Sequence, residues 1–150
     1  MMLHPLSSLA NELRPTPLAV KAQKEAVQET EKAKSQLYSE LTALLAECDG
    51  HNWDGYGARP IASSTYWLAR SLAHRLPDGL PIPLVGAEPD GSITFEWYRD
   101  PSHILSLSVA GDGRLYFAAN IGSRKRSGSD QSAEGLPAEV IDLIHAILSK

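Results

Sequence analysis

Cysteine is almost absent from this chain, since Cys48 is the only one among its 150 residues. A single cysteine excludes an intramolecular disulfide and the zinc sites that need several thiolates. The apolar neighbours Leu44 and Leu45 favour a small core residue at this position. No apolar run approaches the roughly 20 residues of a membrane helix, and the N-terminus lacks the pattern of a secretory signal. We therefore expect a cytoplasmic protein that does not enter a membrane.

Catalytic and metal-binding motifs are missing as well. The chain contains no phosphate-binding loop, dinucleotide-binding turn or nucleophile elbow, and its five histidines are scattered without an H-x-x-x-H pair. We accordingly assign no catalytic residue, no metal ligand and no cofactor, and a non-enzymatic role is favoured. The formal charge of −4 argues against a protein whose whole surface binds nucleic acid.

The composition is that of one globular domain, with 43% hydrophobic and 21% charged residues. Residues 1–17 carry three prolines and are predicted to be a flexible arm, followed by a single domain over 18–150. Residues 18–48 contain neither glycine nor proline and predict a long helix. Its apolar stripe is dense only in the second half, so residues 18–36 have two interpretations. They form either a solvated helix extension that protrudes, or a segment that packs on another copy through residues 18–48.

Period-two alternation of apolar residues follows a second predicted helix over 62–76, whose apolar side is Trp67, Leu68, Leu72 and Leu76. The alternation predicts strands near 81–87, 92–99, 105–109 and 115–121, before a final helix that opens at Leu136-Pro137. These elements give an α+β fold: an antiparallel four-stranded β-meander covered on one face by helices, in the order α-α-β-β-β-β-α. Residues 122–135 are polar and breaker-rich, and are predicted to be a mobile loop.

The segment 51–60 combines two glycines and a proline with two large aromatics. One interpretation is a packed connector whose Trp53 and Tyr56 fill the gap between helix and sheet. The other is a recognition loop or pocket wall, in which Trp53, Asp54, Tyr56 and Arg59 bind a small ligand or a substrate.

Two further sets of side chains are candidates for binding. Glu96, Tyr98 and Tyr116 fall on the strand face opposite the predicted core, where tyrosine is a favoured interface residue. Arg124, Lys125 and Arg126 form the basic cluster of the predicted loop and suit an acidic partner or a phosphate backbone. We do not expect nucleic acid to be the main partner.

Three segments form one recognisable pattern: Asn52–Ala58 (N-W-D-G-Y-G-A), Pro89–Ile93 (P-D-G-S-I) and Glu96-Trp97. In this pattern the chain resembles a group of short uncharacterised bacterial proteins, over roughly residues 50 to 121 and the final helix. The resemblance implies a bacterial origin and carries no activity or site residue.

The resulting hypothesis is a small cytoplasmic interaction module that binds another protein, as antitoxins, immunity proteins and inhibitors do. The alternatives are a small-ligand binder or enzyme with its pocket at residues 51–60, and a weak nucleic-acid binder that uses residues 124–126.

Overall fold

A computed structural model describes residues 14–130 and 135–149 of the chain. Its contacts divide the chain into two compact units, Met1–Lys32 and Ala33–Lys150. The described helices are α1 (Pro17–Glu47), α2 (Ser63–His74) and α3 (Ala138–Leu148). The described strands are β1 (Leu84–Ala87), β2 (Ile93–Asp100), β3 (His103–Val109), β4 (Leu115–Ile121) and β5 (Arg124–Asp130).

The first unit is helical from Pro17 onward. Thr16 accepts a hydrogen bond from the Ala19 amide on its Oγ1 atom at 3.1 Å, and Pro17 occupies the first helical position. None of the described residues 14–32 is buried, and Leu18 and Val27 are 78% and 51% exposed. Residues 1–13 of the predicted arm lie outside the described part of the chain.

The second unit is built on one antiparallel sheet with the strand order β1-β2-β3-β4-β5. Alternate residues such as Phe95, Trp97 and Leu107 are buried on the face against which α2 and α3 pack. Leu37 and Leu41 of α1 complete this core. The predicted α+β class and the antiparallel meander are therefore confirmed.

The number of strands was predicted wrongly, because β5 replaces part of the expected mobile loop. Arg124–Asp130 pairs with β4 along its whole length, so the described sheet has five strands and the order is α-α-β-β-β-β-β-α. The two strands are joined by Gly122-Ser123, and the φ of 64° at Gly122 suits the first position of a type II′ turn. Residues 131–134 of the predicted loop lie outside the described residues.

A glycine in β5 is covered by an aromatic ring of the neighbouring strand. The ring of Phe117, opposite Gly128 in the register, lies so close that a Cβ atom on Gly128 would be 2.7 Å from the ring Cζ. Phe117 thus covers the backbone of its neighbour and remains 7% exposed. The edge strand is stabilised by its ladder of backbone hydrogen bonds and by this ring, and not by apolar side chains of its own.

The predicted apolar side of the second helix is buried except at Trp67, since Leu72 and Leu76 are buried and Leu68 packs against the core. Trp67 is 60% exposed, whereas Tyr66, Ala69 and Ala73 are buried. Tyr66 tolerates burial because its hydroxyl lies 3.0 Å from Oγ1 of Thr42 on α1.

The turn between β2 and β3 is organised by one carboxylate. Asp100 Oδ1 accepts hydrogen bonds from the Ser102 amide at 2.9 Å, from the Ser102 hydroxyl at 2.8 Å and from His103 Nδ1 at 2.9 Å. The bond from His103, followed by that from Ser102, holds the pKa of Asp100 far below its ordinary value.

We expect this turn to make the stability depend on pH in the acid range. Because the folded-state pKa is lowered, the stabilisation is present above the unfolded value of about 3.9 and is lost as the pH falls below it. Asp100→Asn should therefore lower the melting temperature near pH 6 and lose less stability than the wild type on acidification to about pH 3. Asp142→Asn, at an exposed position of α3, is the matched control for the change in charge. Parallel acid curves for Asp100→Asn and the wild type would contradict the role of Asp100.

Candidate functional site

The segment 51–60 is a closed loop that its own side chains stabilise. Asn52 adopts a left-handed conformation with φ 63°, and its Oδ1 accepts the Gly57 amide at 2.6 Å. Asp54 accepts the amides of Tyr56 and Ala58 on one oxygen, at 2.8 and 3.0 Å. These bonds occupy the carboxylate with backbone donors, which is the arrangement of a structural turn.

The aromatic residues of this loop do not share a cavity. Trp53 is half-buried, packs against the core and donates its indole N–H to the Arg59 carbonyl at 2.6 Å. Tyr56 is 93% exposed, and a side chain so exposed cannot form a pocket wall with a packed indole. The Arg59 side chain is also exposed, while its amide donates to the Pro89 carbonyl at 2.8 Å. The pocket interpretation is therefore not supported by the arrangement of these side chains. The packed connector is correct for Trp53 and wrong for Tyr56, which does not fill the gap between helix and sheet because it lies in solvent.

The outer face of the sheet, opposite α2 and α3, is the larger candidate surface. The register places Glu96 beside Leu84 and Ser106, and Tyr98 beside Ile104. Tyr116 lies between Ser108 and Ser129, and β3, which carries Ser106 and Ser108 on this face, runs between the strands of the two tyrosines. The side chains of this face that are exposed or half-exposed are Leu84, Glu96, Tyr98, Ile104, Ser106, Ser108, Tyr116, Ala118, Asn120, Lys125, Ser127 and Ser129.

Part of the outer face is held in place by local contacts. The Tyr116 hydroxyl donates to Asp112 Oδ2 at 3.3 Å, and the Arg114 guanidinium lies 5.9 Å from the Tyr116 ring centroid. Arg114 also donates to the Ser129 hydroxyl at 3.1 Å. A shallow depression of about 350 Å³ lies on the same face, with Ser106 and Lys125 among its lining residues.

The three basic residues predicted to lie in a mobile loop belong to strand β5. Its pairing with β4 places them on two different faces of the sheet. Arg124 and Arg126 lie opposite Ile121 and Ala119, and so project towards the face that the helices cover. Lys125 lies opposite Asn120 and projects towards the outer face. The three charges therefore do not form one patch on a single face.

A second aromatic cluster was not predicted. It consists of Tyr38 on α1 and of Tyr66, Trp67, Arg70 and His74 on α2, and we call it the Trp67 cluster. The Arg70 guanidinium lies 4.6 Å from the Tyr38 ring centroid and 5.8 Å from that of Trp67. The only sequence signal was the spacing of Tyr66, Trp67 and Arg70, which places arginine one turn after both rings. Tyr38 is distant in the sequence, so no local pattern indicated it.

Metal binding and membrane insertion are the next two properties that the described residues bear on. No group of three or more histidine, cysteine, aspartate or glutamate residues in 14–130 and 135–149 is placed to hold a metal ion. None of the described helices has the length and hydropathy needed to span a membrane. No protein-family model, curated protein or solved structure matches the chain.

Proposed function

We propose that this chain is a small cytoplasmic interaction module that binds a protein partner through the outer face of its sheet. The observation that carries the proposal is the combination of Tyr98 and Tyr116, which are 50% and 43% exposed, with intervening serines. Tyrosine supplies a large contact area at a small cost in side-chain entropy, and serine supplies adaptable hydrogen bonds. This composition is typical of surfaces that recognise proteins.

The backbone beneath these side chains supports the same proposal. Each strand from β2 to β4 is paired on both sides, so its side chains project from a backbone that is already ordered. Contacts from Asp112 and Arg114 further restrict Tyr116. A surface that is ordered before it binds loses less conformational entropy on association.

The proposal extends to the kind of partner only by association. Antitoxins, immunity proteins and inhibitors combine small size with mild acidity, and the pattern in 52–58 and 89–97 resembles bacterial proteins. The single cysteine is buried and unpaired, as is usual in a reducing compartment. Self-association through residues 18–48 is a separate proposal, motivated by the exposure of Leu18 and Val27.

The proposal is tested by capturing a partner from a bacterial lysate with the wild type and a Tyr98→Ser/Tyr116→Ser double variant. We expect the double variant to fold and to bind the captured partner on the order of 30-fold more weakly, since this factor corresponds to about 2 kcal/mol, the loss at one interface hot spot, and tyrosine is enriched among hot spots. Tyr56→Ser removes an even more exposed tyrosine from the 51–60 loop and is the matched control.

Equal affinity of the wild type and the double variant for the captured partner would refute binding through the outer face. Weaker binding by Tyr56→Ser alone would transfer the recognition role to the 51–60 loop. Light scattering on the same preparations measures self-association separately, and truncation before Ala33 should abolish it if residues 18–48 form the contact.

A further inference from the structure

The Trp67 cluster places a large aromatic ring in solvent beside a half-buried arginine. Trp67 is 60% exposed, and its ring meets Tyr66 edge-on at a centroid distance of 5.2 Å and an angle of 69°. The rings of Tyr38 and Trp67 line an open depression of about 310 Å³ together with Arg70, Ser71 and His74. Tryptophan, tyrosine and arginine are the residues most often found at the energetic centre of protein interfaces.

The cluster is also fixed before any partner arrives. The Tyr38 hydroxyl lies 3.1 Å from Nδ1 of His74, and Arg70 donates to the Tyr66 hydroxyl at 3.2 Å. The Tyr66 hydroxyl also lies 3.0 Å from the Thr42 hydroxyl. Helices α1 and α2 are thus connected through the polar atoms of these side chains. A long arginine side chain that is already restrained loses little entropy on binding.

The charge of the depression determines the chemistry of its occupant. Arg70, Ser71 and His74 bring hydrogen-bonding groups to its lining, and no acidic residue lines it. Within 14–130 and 135–149, no carboxylate lies within salt-bridge distance of Arg70. The nearby Lys34 ammonium, by contrast, is engaged by the His74 carbonyl at 3.0 Å and by Asp78 at 3.7 Å. A positive site on a chain of net charge −4 favours an acidic occupant.

From this geometry we propose that the Trp67 cluster docks an acidic segment of a protein partner. A carboxylate of the segment pairs with Arg70, whose planar guanidinium can donate two parallel hydrogen bonds to it. An apolar side chain beside that carboxylate packs on the exposed indole of Trp67. The depression is too open to enclose a small molecule, and the large exposed ring suits a flat contact with a chain. This site lies on the helices, apart from the outer sheet face.

The experiment is a selection of short randomised peptides, displayed on phage, against the full chain. We expect enrichment of sequences in which aspartate or glutamate adjoins leucine or an aromatic residue. A synthetic peptide of the enriched sequence should bind Arg70→Gln and Trp67→Ala each on the order of tenfold more weakly than the wild type. Replacing its acidic residues by glutamine should weaken binding to the wild type by a similar factor.

Two control variants distinguish binding at the Trp67 cluster from binding elsewhere on the surface. Arg126→Gln removes the same charge from β5 and should leave the affinity for the peptide unchanged. The Tyr98→Ser/Tyr116→Ser double variant should also bind the peptide normally. The peptide assay therefore tests the Trp67 cluster separately from the outer sheet face, so one proposal can be refuted while the other stands.

Several results would overturn the proposal. They are the absence of any enriched peptide, the enrichment of basic or wholly apolar peptides, and an equal loss of affinity in Arg126→Gln. Competition by free glutamate at the concentration of the peptide would identify a small-anion site instead. Concentration-dependent dimerisation of the wild type that Trp67→Ala abolishes would make a second copy the occupant.

Discussion

Trp97→Ala is expected to lower the free energy of unfolding by about 3–5 kcal/mol, the usual cost of deleting a large buried aromatic side chain. Trp97 is 2% exposed, and its indole N–H donates to the Pro81 carbonyl at 2.9 Å. The substitution leaves a cavity beneath the helices and removes the bond between β2 and the segment before β1. Since a domain of this size is stable by roughly 5–15 kcal/mol, the substitution removes a large fraction of the total stability.

The matched control is the same substitution at an exposed tryptophan. Trp67→Ala should cost less than about 1 kcal/mol, because most of the indole is already in water. Urea unfolding followed by circular dichroism measures both variants. Trp97→Phe should fall between them, since it keeps a ring but loses the hydrogen bond. Similar midpoints for Trp97→Ala and Trp67→Ala would contradict the assignment of one ring to the core and the other to the surface.

Gly91→Ala is expected to have the second largest effect, because two independent costs coincide at this position. Gly91 has φ +89°, and a Cβ atom built on it would lie 2.9 Å from the Pro60 carbonyl oxygen. The left-handed backbone costs a residue with a side chain about 1–2 kcal/mol. The contact with rigid backbone adds about 1–3 kcal/mol, since the 51–60 loop has to move away from the β1–β2 turn.

Gly79→Ala isolates the first of these two costs. Gly79 has φ +86° but no atom within 4 Å of its would-be Cβ. Its substitution should therefore cost only the conformational part, and the difference between the two variants measures the steric part. In Gly91→Ala, the Arg59 amide that donates to Pro89 should also exchange its hydrogen faster. If both variants lose the same stability, the loop does not depend on close contact with Gly91.

The sequence was informative wherever an apolar pattern and a turn signal agreed. Ile93, Phe95 and Trp97 alternate between two well-marked turns, and they face the helices as predicted. In this strand the local preference and the tertiary packing favour the same conformation.

β5 was missed because its stability comes from its partner. No side chain between Arg124 and Asp130 is apolar, and Gly128 is covered by Phe117 from the next strand. The pair Gly122-Ser123 was the available signal, since glycine followed by serine suits a two-residue hairpin. It was outweighed by the polar composition of residues 122–135.

The Trp67 cluster was missed for a different reason. A tryptophan in an amphipathic helix is usually assigned to the buried side, and Leu68 and Leu72 lie close to Trp67 in the sequence. The buried side of α2 instead consists of Tyr66, Ala69, Leu72 and Ala73, and Trp67 falls outside it. The hydrophobicity of single residues does not predict that alanines, and not the larger Trp67, lie on the buried side.

The two edge strands of the described sheet affect the tendency of the protein to aggregate at high concentration. An unpaired strand edge can recruit a strand from another molecule and begin a growing aggregate. Here one edge is β1, only four residues long and preceded by Pro81 and Pro83. The other edge begins with Arg124, Lys125 and Arg126, so a copy of the same strand that pairs in parallel and in register meets three like charges. This repulsion acts over about 8 Å at physiological ionic strength, and added salt weakens the protection against fibril growth.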